Sequence, residues 1–187
     1  CGGGSLYPYL DLGVQPPSNS FIAPADITDE KVFPLEVALC TDCGLSQLRD
    51  VVSSEDIFDD YLYLSSTSKP LSQHYAGMVA AALDRFSPVD GGLMVDIGCN
   101  DGVLLKGYPS DRFRLLGIEP SSAGKYAVEA GFEVVAKFFN EATAGEIRKS
   151  HGGAEIITAT NVFAHVDDIR SFAQGIEALL ADDGVFI

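Results

Sequence analysis

The sequence predicts an α/β fold, a doubly wound parallel sheet, preceded by a small irregular domain built around cysteines. Three observations carry this. From Gly91 onward, short apolar runs alternate with glycine turns and with segments of helical period, the pattern of repeated strand-crossover-strand units. Residues 1–62 are instead rich in Gly, Pro, Ser and Asp, with only short apolar pieces between turn residues. Within them, Leu39-Cys40-Thr41-Asp42-Cys43-Gly44-Leu45 sets two thiols at C-x-x-C spacing.

Taken in order, Tyr7-Pro8-Tyr9-Leu10-Asp11-Leu12 and Val32-Phe33-Pro34-Leu35-Glu36-Val37-Ala38-Leu39 read as short strands of the first domain, residues 1–62. Residues 63–88 read as a linker helix: Leu71, Tyr75, Met78, Val79, Ala82, Leu83 and Phe86 recur at spacings of three and four. Ser68 can cap that helix, and Pro70 fits its first turn. In the second domain, residues 89–187, strands are expected at Leu93–Ile97, Arg114–Ile118, 133–136, 155–160 and 184–187. Helices are expected at about 121–130, 141–150 and 168–181, each long enough to cross back over a parallel sheet. Five strands are one or two fewer than such a sheet usually has. The chain opens on Cys1 rather than Met and closes inside a strand-like run, so it reads as a piece of a longer protein.

Composition narrows the partners. The net charge of −15, from 27 acidic against 12 basic side chains, repels a phosphate backbone and argues against nucleic acid or anionic lipid. No apolar stretch approaches the ~20 residues of a membrane helix, and no signal peptide is recognisable, so a cytoplasmic location is expected.

The turn after the first strand of the second domain, Asp96-Ile97-Gly98-Cys99-Asn100-Asp101-Gly102, lies where this Rossmann-like fold binds nucleotides. Gly98 and Gly102 let backbone amides and the start of a following helix approach a ligand. A dinucleotide enzyme prefers G-x-G-x-x-G with pyrophosphate at the helix start. Here Asp96 stands two residues before the first glycine, where it would repel pyrophosphate but suit the cationic methionine end of S-adenosylmethionine (SAM). The pattern resembles the D-x-G-x-G-x-G motif of class I SAM-dependent methyltransferases, with Asn100 where the second glycine is usual. Glu119, at the end of the second strand, can accept bonds from ribose hydroxyls in SAM or NAD alike. Phe138, Phe139 and Asn140 are placed after the third strand to stack on and bond the adenine.

The Cys40/Cys43 unit has the shape of a zinc knuckle, with Gly44 taking the tight turn so that amides can point at sulfur. Cys1-Gly2 repeats the Cys-Gly ending of such a unit. Buried thiols are the competing reading, but a domain this small lacks core, so a structural zinc held by four thiolates is expected. Cys1, Cys40 and Cys43 would be three of them, with the fourth upstream of Cys1. Cys99 reads as packing. The fourth strand of the second domain runs into Asn161 and His165, where either could touch cofactor or substrate, and a His there can serve as acid, base or polariser.

The leading Cys-Gly, Leu10-Asp11-Leu12-Gly13-Val14-Gln15-Pro16-Pro17-Ser18-Asn19-Ser20-Phe21, the knuckle, Tyr61-Leu62-Tyr63-Leu64-Ser65-Ser66, the Asp96 to Gly102 turn and Asn161-Val162-Phe163-Ala164-His165 follow one another in a fixed order. Together they resemble the zinc-containing SAM-dependent sugar C-methyltransferases. Pro17, standing where Leu or a similar residue is expected, is a small departure. The resemblance implies a class I methyltransferase sheet, truncated here at its fifth strand, behind the zinc domain. It implies methylation at C3 of a nucleotide-linked 4-keto-deoxysugar, which requires a base and an oxyanion partner for the enolate. It further implies that the base lies in a Tyr-His-Glu-His segment past Ile187. By the same resemblance, His165 and one of Tyr61 and Tyr63 are active-site residues, while Ser65 and Ser66 suit sugar or diphosphate contacts. A class I O- or N-methyltransferase and a non-catalytic zinc- and nucleotide-binding module are the alternatives; residues downstream of Ile187 discriminate among them.

Overall fold

The structure is a computed structural model that describes residues 1–18, 21–53, 57 and 63–187. The chain forms two compact units, Cys1–Tyr61 and Leu62–Ile187.

The first unit carries an antiparallel sheet of order β1-β2-β3, with β1 at Leu6–Gln15, β2 at Phe33–Cys40 and β3 at Ser46–Leu48. Pro8 is tolerated because β1 is an edge strand and its missing N–H breaks no central ladder. The β1–β2 register slips between Pro8 and Leu10 and again between Asp11 and Val14. At the second slip Gly13 adopts φ +70°, and its amide donates to Asp11 Oδ1 at 2.8 Å. Ala38 and Cys40 are buried, whereas Tyr7, Tyr9, Leu10, Leu12 and Val14 remain exposed. Among the described residues so little apolar surface is buried that it cannot stabilise the sheet alone, which places weight on the cysteine cluster below.

The second unit begins with a helical turn at Ser65–Thr67 and helix α1, Lys69–Phe86. Ser68 caps α1 by accepting from the Leu71 amide at 3.4 Å, and Pro70 lies in the first turn. Tyr75, Val79 and Ala82 of α1 pack on Met94, Leu104, Tyr108, Phe113 and Ile156, so α1 is part of this unit's core. The sheet follows: β4 Leu93–Ile97, β5 Arg114–Ile118, β6 Glu133–Val135, β7 Ala154–Thr158 and β8 Leu180–Phe186. Its order is β6-β5-β4-β7-β8 with every neighbouring pair parallel. The crossovers α2 (Gly124–Glu129), α3 (Glu141–His151) and α4 (Ile169–Leu179) supply the long connections that parallel strands need.

β4 is buried along its whole length because helices cover both sheet faces. Met94 faces α1, while Leu93, Val95 and Ile97 join Ile147, Phe172, Ile176 and Leu179 of α3 and α4 in the other core. With Phe172 1% exposed and flanked by Phe139 and Phe163, truncation to Ala would cost about 3–5 kcal/mol.

Three elements differ from the sequence expectation. No full helix follows the glycine turn; Gly102, Gly107 and Pro109 fall too close together, and only a 3-10 turn forms at Leu105–Gly107. α2 begins at Gly124 rather than near Ser121, because Pro120 and the Ser121 amide, bonded to Glu119 Oε1, hold the preceding backbone in a turn. β8 begins at Leu180, directly after α4, and its ladder with β7 is interrupted between the pairs Ala154↔Leu180 and Ile156↔Val185. The intervening Asp182-Asp183-Gly184 stretch is poor helix material.

Candidate functional site

Rossmann-like sheets bind ligands at the carboxyl ends of their strands where the strand order reverses, here beside β4, between β5 and β7. The turn leaving β4 is shaped by three left-handed residues at alternate positions: Gly98 (φ +69°), Asn100 (φ +52°) and Gly102 (φ +76°). Asn is among the few residues with a side chain that tolerate this conformation, so Asn100 keeps the backbone path that a glycine would take. The bends also bring packing close: a Cβ on Gly98 would lie 2.4 Å from Val162 Cγ2, and one on Gly102 would lie 2.9 Å from Phe132.

Three carboxylates are buried around this turn. Asp96 is 2% exposed, Asp101 3% and Glu119 7%. Burial pushes the Asp96 carboxyl up to about 7; the Thr158 hydroxyl, donating to Asp96 Oδ1 at 2.6 Å, works against that, and the charge of Glu119 reinforces it. Glu119 is held at both oxygens, with Oε2 accepting from the Asn100 amide and Oε1 from the Ser121 amide, each at 2.9 Å. Asp101 Oδ1 has no hydrogen-bond partner among the described residues, although its other oxygen is engaged. Cys99, buried and packed on Gly117, has its thiol pushed up by burial and then by Asp96 and Glu119, so it is inert packing. With no full helix start to receive an anion and three carboxylates in place, the turn favours a ligand with a cationic end over a pyrophosphate. An orphaned buried carboxylate oxygen is what a donor on such a ligand would satisfy.

Asn100 and Asp101 also use their side chains on the chain just before α1. Asn100 Nδ2 donates to the Tyr63 carbonyl and Oδ1 accepts from the Ser65 amide, both at 2.9 Å; Asp101 Oδ2 accepts from the Ser66 amide at 3.0 Å. Tyr63, Ser65 and Ser66 are thereby brought beside the glycine turn. Tyr61 lies outside the described residues.

Of the residues expected around the adenine, Phe138 is 41% exposed and free to stack. Phe139 instead meets Phe172 edge to face at 5.1 Å, and Asn140 caps α3 by accepting from the Thr143 amide at 2.9 Å. The cap was readable in the sequence as an Asn before a helical run, and the Phe139 contact was not, since it depends on α4. Asn161, at φ +56°, and the 3-10 turn Phe163–His165 follow β7 on the same end of the sheet, with both Asn161 and His165 exposed. Thr158 is the residue that sequence reasoning missed; its buried position opposite Asp96 in the β4–β7 ladder was the only signal available. A separate cleft lined by Tyr108, Phe113, Arg114, Phe132, Glu133 and His151 opens at the amino ends of β4 to β6, the opposite end from the carboxylates.

In the first unit, the sulfurs of Cys1, Cys40 and Cys43 lie within 4.8 Å of one another. Cys1 Sγ to Cys40 Sγ is 3.8 Å, about the edge of a tetrahedron with ~2.3 Å metal–sulfur bonds. Gly44 (φ +77°) closes the loop, its amide donating to the Cys40 carbonyl at 2.8 Å. The Leu45 amide lowers the Cys43 thiol, with Cys40 adding to the effect, and the Gly3 amide donates to Cys1 Sγ at 3.3 Å. Three sulfurs at this spacing, with the Cys43 thiol lowered, fit three corners of a tetrahedral zinc site.

Comparison with known proteins agrees with both halves. Residues 1–58 match the family profile described as "Putative zinc binding domain", and residues 72–187 match the one described as "Methyltransferase domain". The C-methyltransferase NovU of Streptomyces niveus is 30% identical over 188 residues, covering 100% of this chain and 45% of its own length. The chain therefore spans less than half of that relative. The plantazolicin methyltransferase BpumL, solved with a triazolic desmethylPZN analogue and SAH, superposes with a TM-score of 0.50 at 15% identity. That match covers 65% of this chain and 48% of BpumL, and at such identity it speaks for the fold.

Proposed function

The chain belongs to the methyltransferase-domain family, joined to an N-terminal domain of the zinc-binding type, and we propose that it is the cofactor-binding part of a SAM-dependent C-methyltransferase. The observation that carries this is the β4 turn, where left-handed residues at 98, 100 and 102 wrap a ligand site lined by buried Asp96, Asp101 and Glu119. That charge suits the ammonium and sulfonium of SAM. Asp96 faces the methionine ammonium, Glu119 retains lone pairs for the ribose hydroxyls beside its two amide bonds, and Phe138 stacks on the adenine. The backbone at Gly98 and Gly102 approaches the cofactor.

NovU is named a C-methyltransferase, and the match runs the full length of this chain, which supports a carbon acceptor; C3 of a nucleotide-linked 4-keto-deoxysugar is the acceptor proposed. SAM supplies an electrophilic methyl group. The acceptor carbon becomes a nucleophile only when its α-proton leaves and the ketone oxygen is stabilised as an enolate. We assign His165 and Asn161, both exposed after β7, to polarising that oxygen or orienting the sugar, and one of Tyr61 and Tyr63 to the same task. Ser65 and Ser66 contribute hydroxyls to the sugar or its diphosphate. Cys1, Cys40 and Cys43 hold a structural zinc, and the enzyme works in the cytoplasm.

The test is methyl transfer by the full-length protein from methyl-labelled SAM to a panel of nucleotide sugars. A labelled methyl on C3 of a 4-keto-deoxysugar is expected, together with solvent deuterium exchange at that carbon in substrate incubated with S-adenosylhomocysteine in place of SAM. Transfer to a hydroxyl or amine would overturn the acceptor chemistry.

A further inference from the structure

Asn100 and Asp101 sit in the cofactor turn, yet their side chains reach away from it to the backbone of residues 63–66. Asn100 uses both ends of its amide there, so its Oδ1 and one Nδ2 proton are spent on the Ser65 amide and the Tyr63 carbonyl. The same residue's backbone amide donates to Glu119 Oε2. A continuous path of hydrogen bonds therefore runs from the Glu119 carboxylate through the Asn100 backbone and side chain to Tyr63 and Ser65. Asp101 adds a second tie through the Ser66 amide. Glycine at position 100 would give the same backbone turn without any of the side-chain ties, so the turn geometry alone does not call for Asn.

We infer that Asn100 and Asp101 are positioning residues: they bolt the segment carrying Tyr63, Ser65 and Ser66 to the cofactor turn, so that filling the turn orders the wall on which the acceptor rests. Taking Glu119 as the group that receives the cofactor's ribose, as the proposed function does, a bound cofactor fixes Glu119 and hence the Asn100 amide. The turn then holds Asn100 Oδ1 and Asp101 Oδ2 at fixed spacing for two successive amides. Asp101 Oδ1, which has no partner among the described residues, leaves the turn one further acceptor for that cofactor. The coupling works through ordering, and it gives the segment a reason to close on the acceptor only after the cofactor is in place.

The experiment is amide-resolved hydrogen exchange on the full-length protein, with and without S-adenosylhomocysteine, for the wild type, Asn100→Gly and Ser65→Pro. Ser65→Pro deletes the amide donor to Asn100, together with a hydroxyl that plays no part in these ties: Leu64 is already extended (φ −111°, ψ 119°), as a residue before proline must be, and position 65 opens a helical turn. The ligand is expected to slow exchange at the Ser66 and Thr67 amides about tenfold in the wild type, alongside slowing at Ile97 to Cys99. In both variants the slowing at 97–99 should persist while that at 66–67 diminishes, the Asp101 tie to the Ser66 amide remaining. Ligand protection of 66–67 that survives undiminished in both variants would overturn the coupling, as would protection confined to 97–99 in the wild type. A ligand that protects neither region in any protein would overturn the cofactor assignment itself and the coupling built on it.

Discussion

Asp96 makes the most quantitative demand on this account. Its carboxyl is pushed from the ordinary 3.8 up to about 7 by burial, with Glu119 reinforcing and the Thr158 hydroxyl opposing the shift. Below pH 3.8 the group is protonated in both folded and unfolded chains and costs nothing. Between 3.8 and 7 the unfolded chain releases the proton while the folded one keeps it, so stability falls as pH rises and levels off above about 7. The gap corresponds to about 4 kcal/mol, at ~1.4 kcal/mol per pH unit. Asp96→Asn removes the titration while keeping an oxygen for Thr158. Urea unfolding of the cofactor-free wild type and variant at pH steps from 4 to 8 provides the assay, and the repulsion among the remaining charges cancels in the difference. The variant's advantage should grow by about 4 kcal/mol from the acidic to the neutral end. S-adenosylhomocysteine, whose ammonium would offset the Asp96 charge, should stabilise the wild type more at pH 8 than at pH 5. Parallel curves for the two proteins would refute the picture of a carboxylate buried without its cation.

Three further outcomes are expected. Thr158→Val deletes the hydroxyl bonded to Asp96, and unfolding at pH 8 should show a loss of about 1–3 kcal/mol that vanishes when Asp96 is also changed to Asn. Gly98→Ala puts a Cβ 2.4 Å from Val162 in a left-handed backbone, so a loss of about 2–4 kcal/mol and weakened S-adenosylhomocysteine binding should appear in thermal and calorimetric titrations. Metal analysis should return one zinc per full-length chain, and chelation should speed exchange at the Cys40 and Gly44 amides while leaving those of β4 unchanged; a chain free of zinc would refute the cysteine site.

The parts of the fold set by local pattern were legible in advance. β4 and β5 fall on the residues expected because short, mostly apolar runs between turn segments read as buried strands. The Ser68 cap and the knuckle around Gly44 are local chemistry, and they form as read. What escaped the sequence depends on partners far along the chain. Phe139 is drawn into the core by Phe172, thirty-three positions later, and Thr158 meets Asp96 only through the β4–β7 ladder. Asn100 and Asp101 read as ligand groups because they occupy a ligand turn; that the side-chain amide of Asn100 and Asp101 Oδ2 also hold residues 63–66 is visible only once α1 packs against the sheet. The helix expected after Gly102 was a local misreading, since Gly107 and Pro109 already limited it to a single turn, and the start of α2 after Pro120 was another.

Isothermal titration of S-adenosylhomocysteine and of NAD into the same protein at pH 7.5 tests the central claim most directly. The account predicts saturable binding of S-adenosylhomocysteine at one site per chain, abolished by Asp96→Ala, with no heat from NAD. Tight binding of NAD without binding of S-adenosylhomocysteine would contradict it.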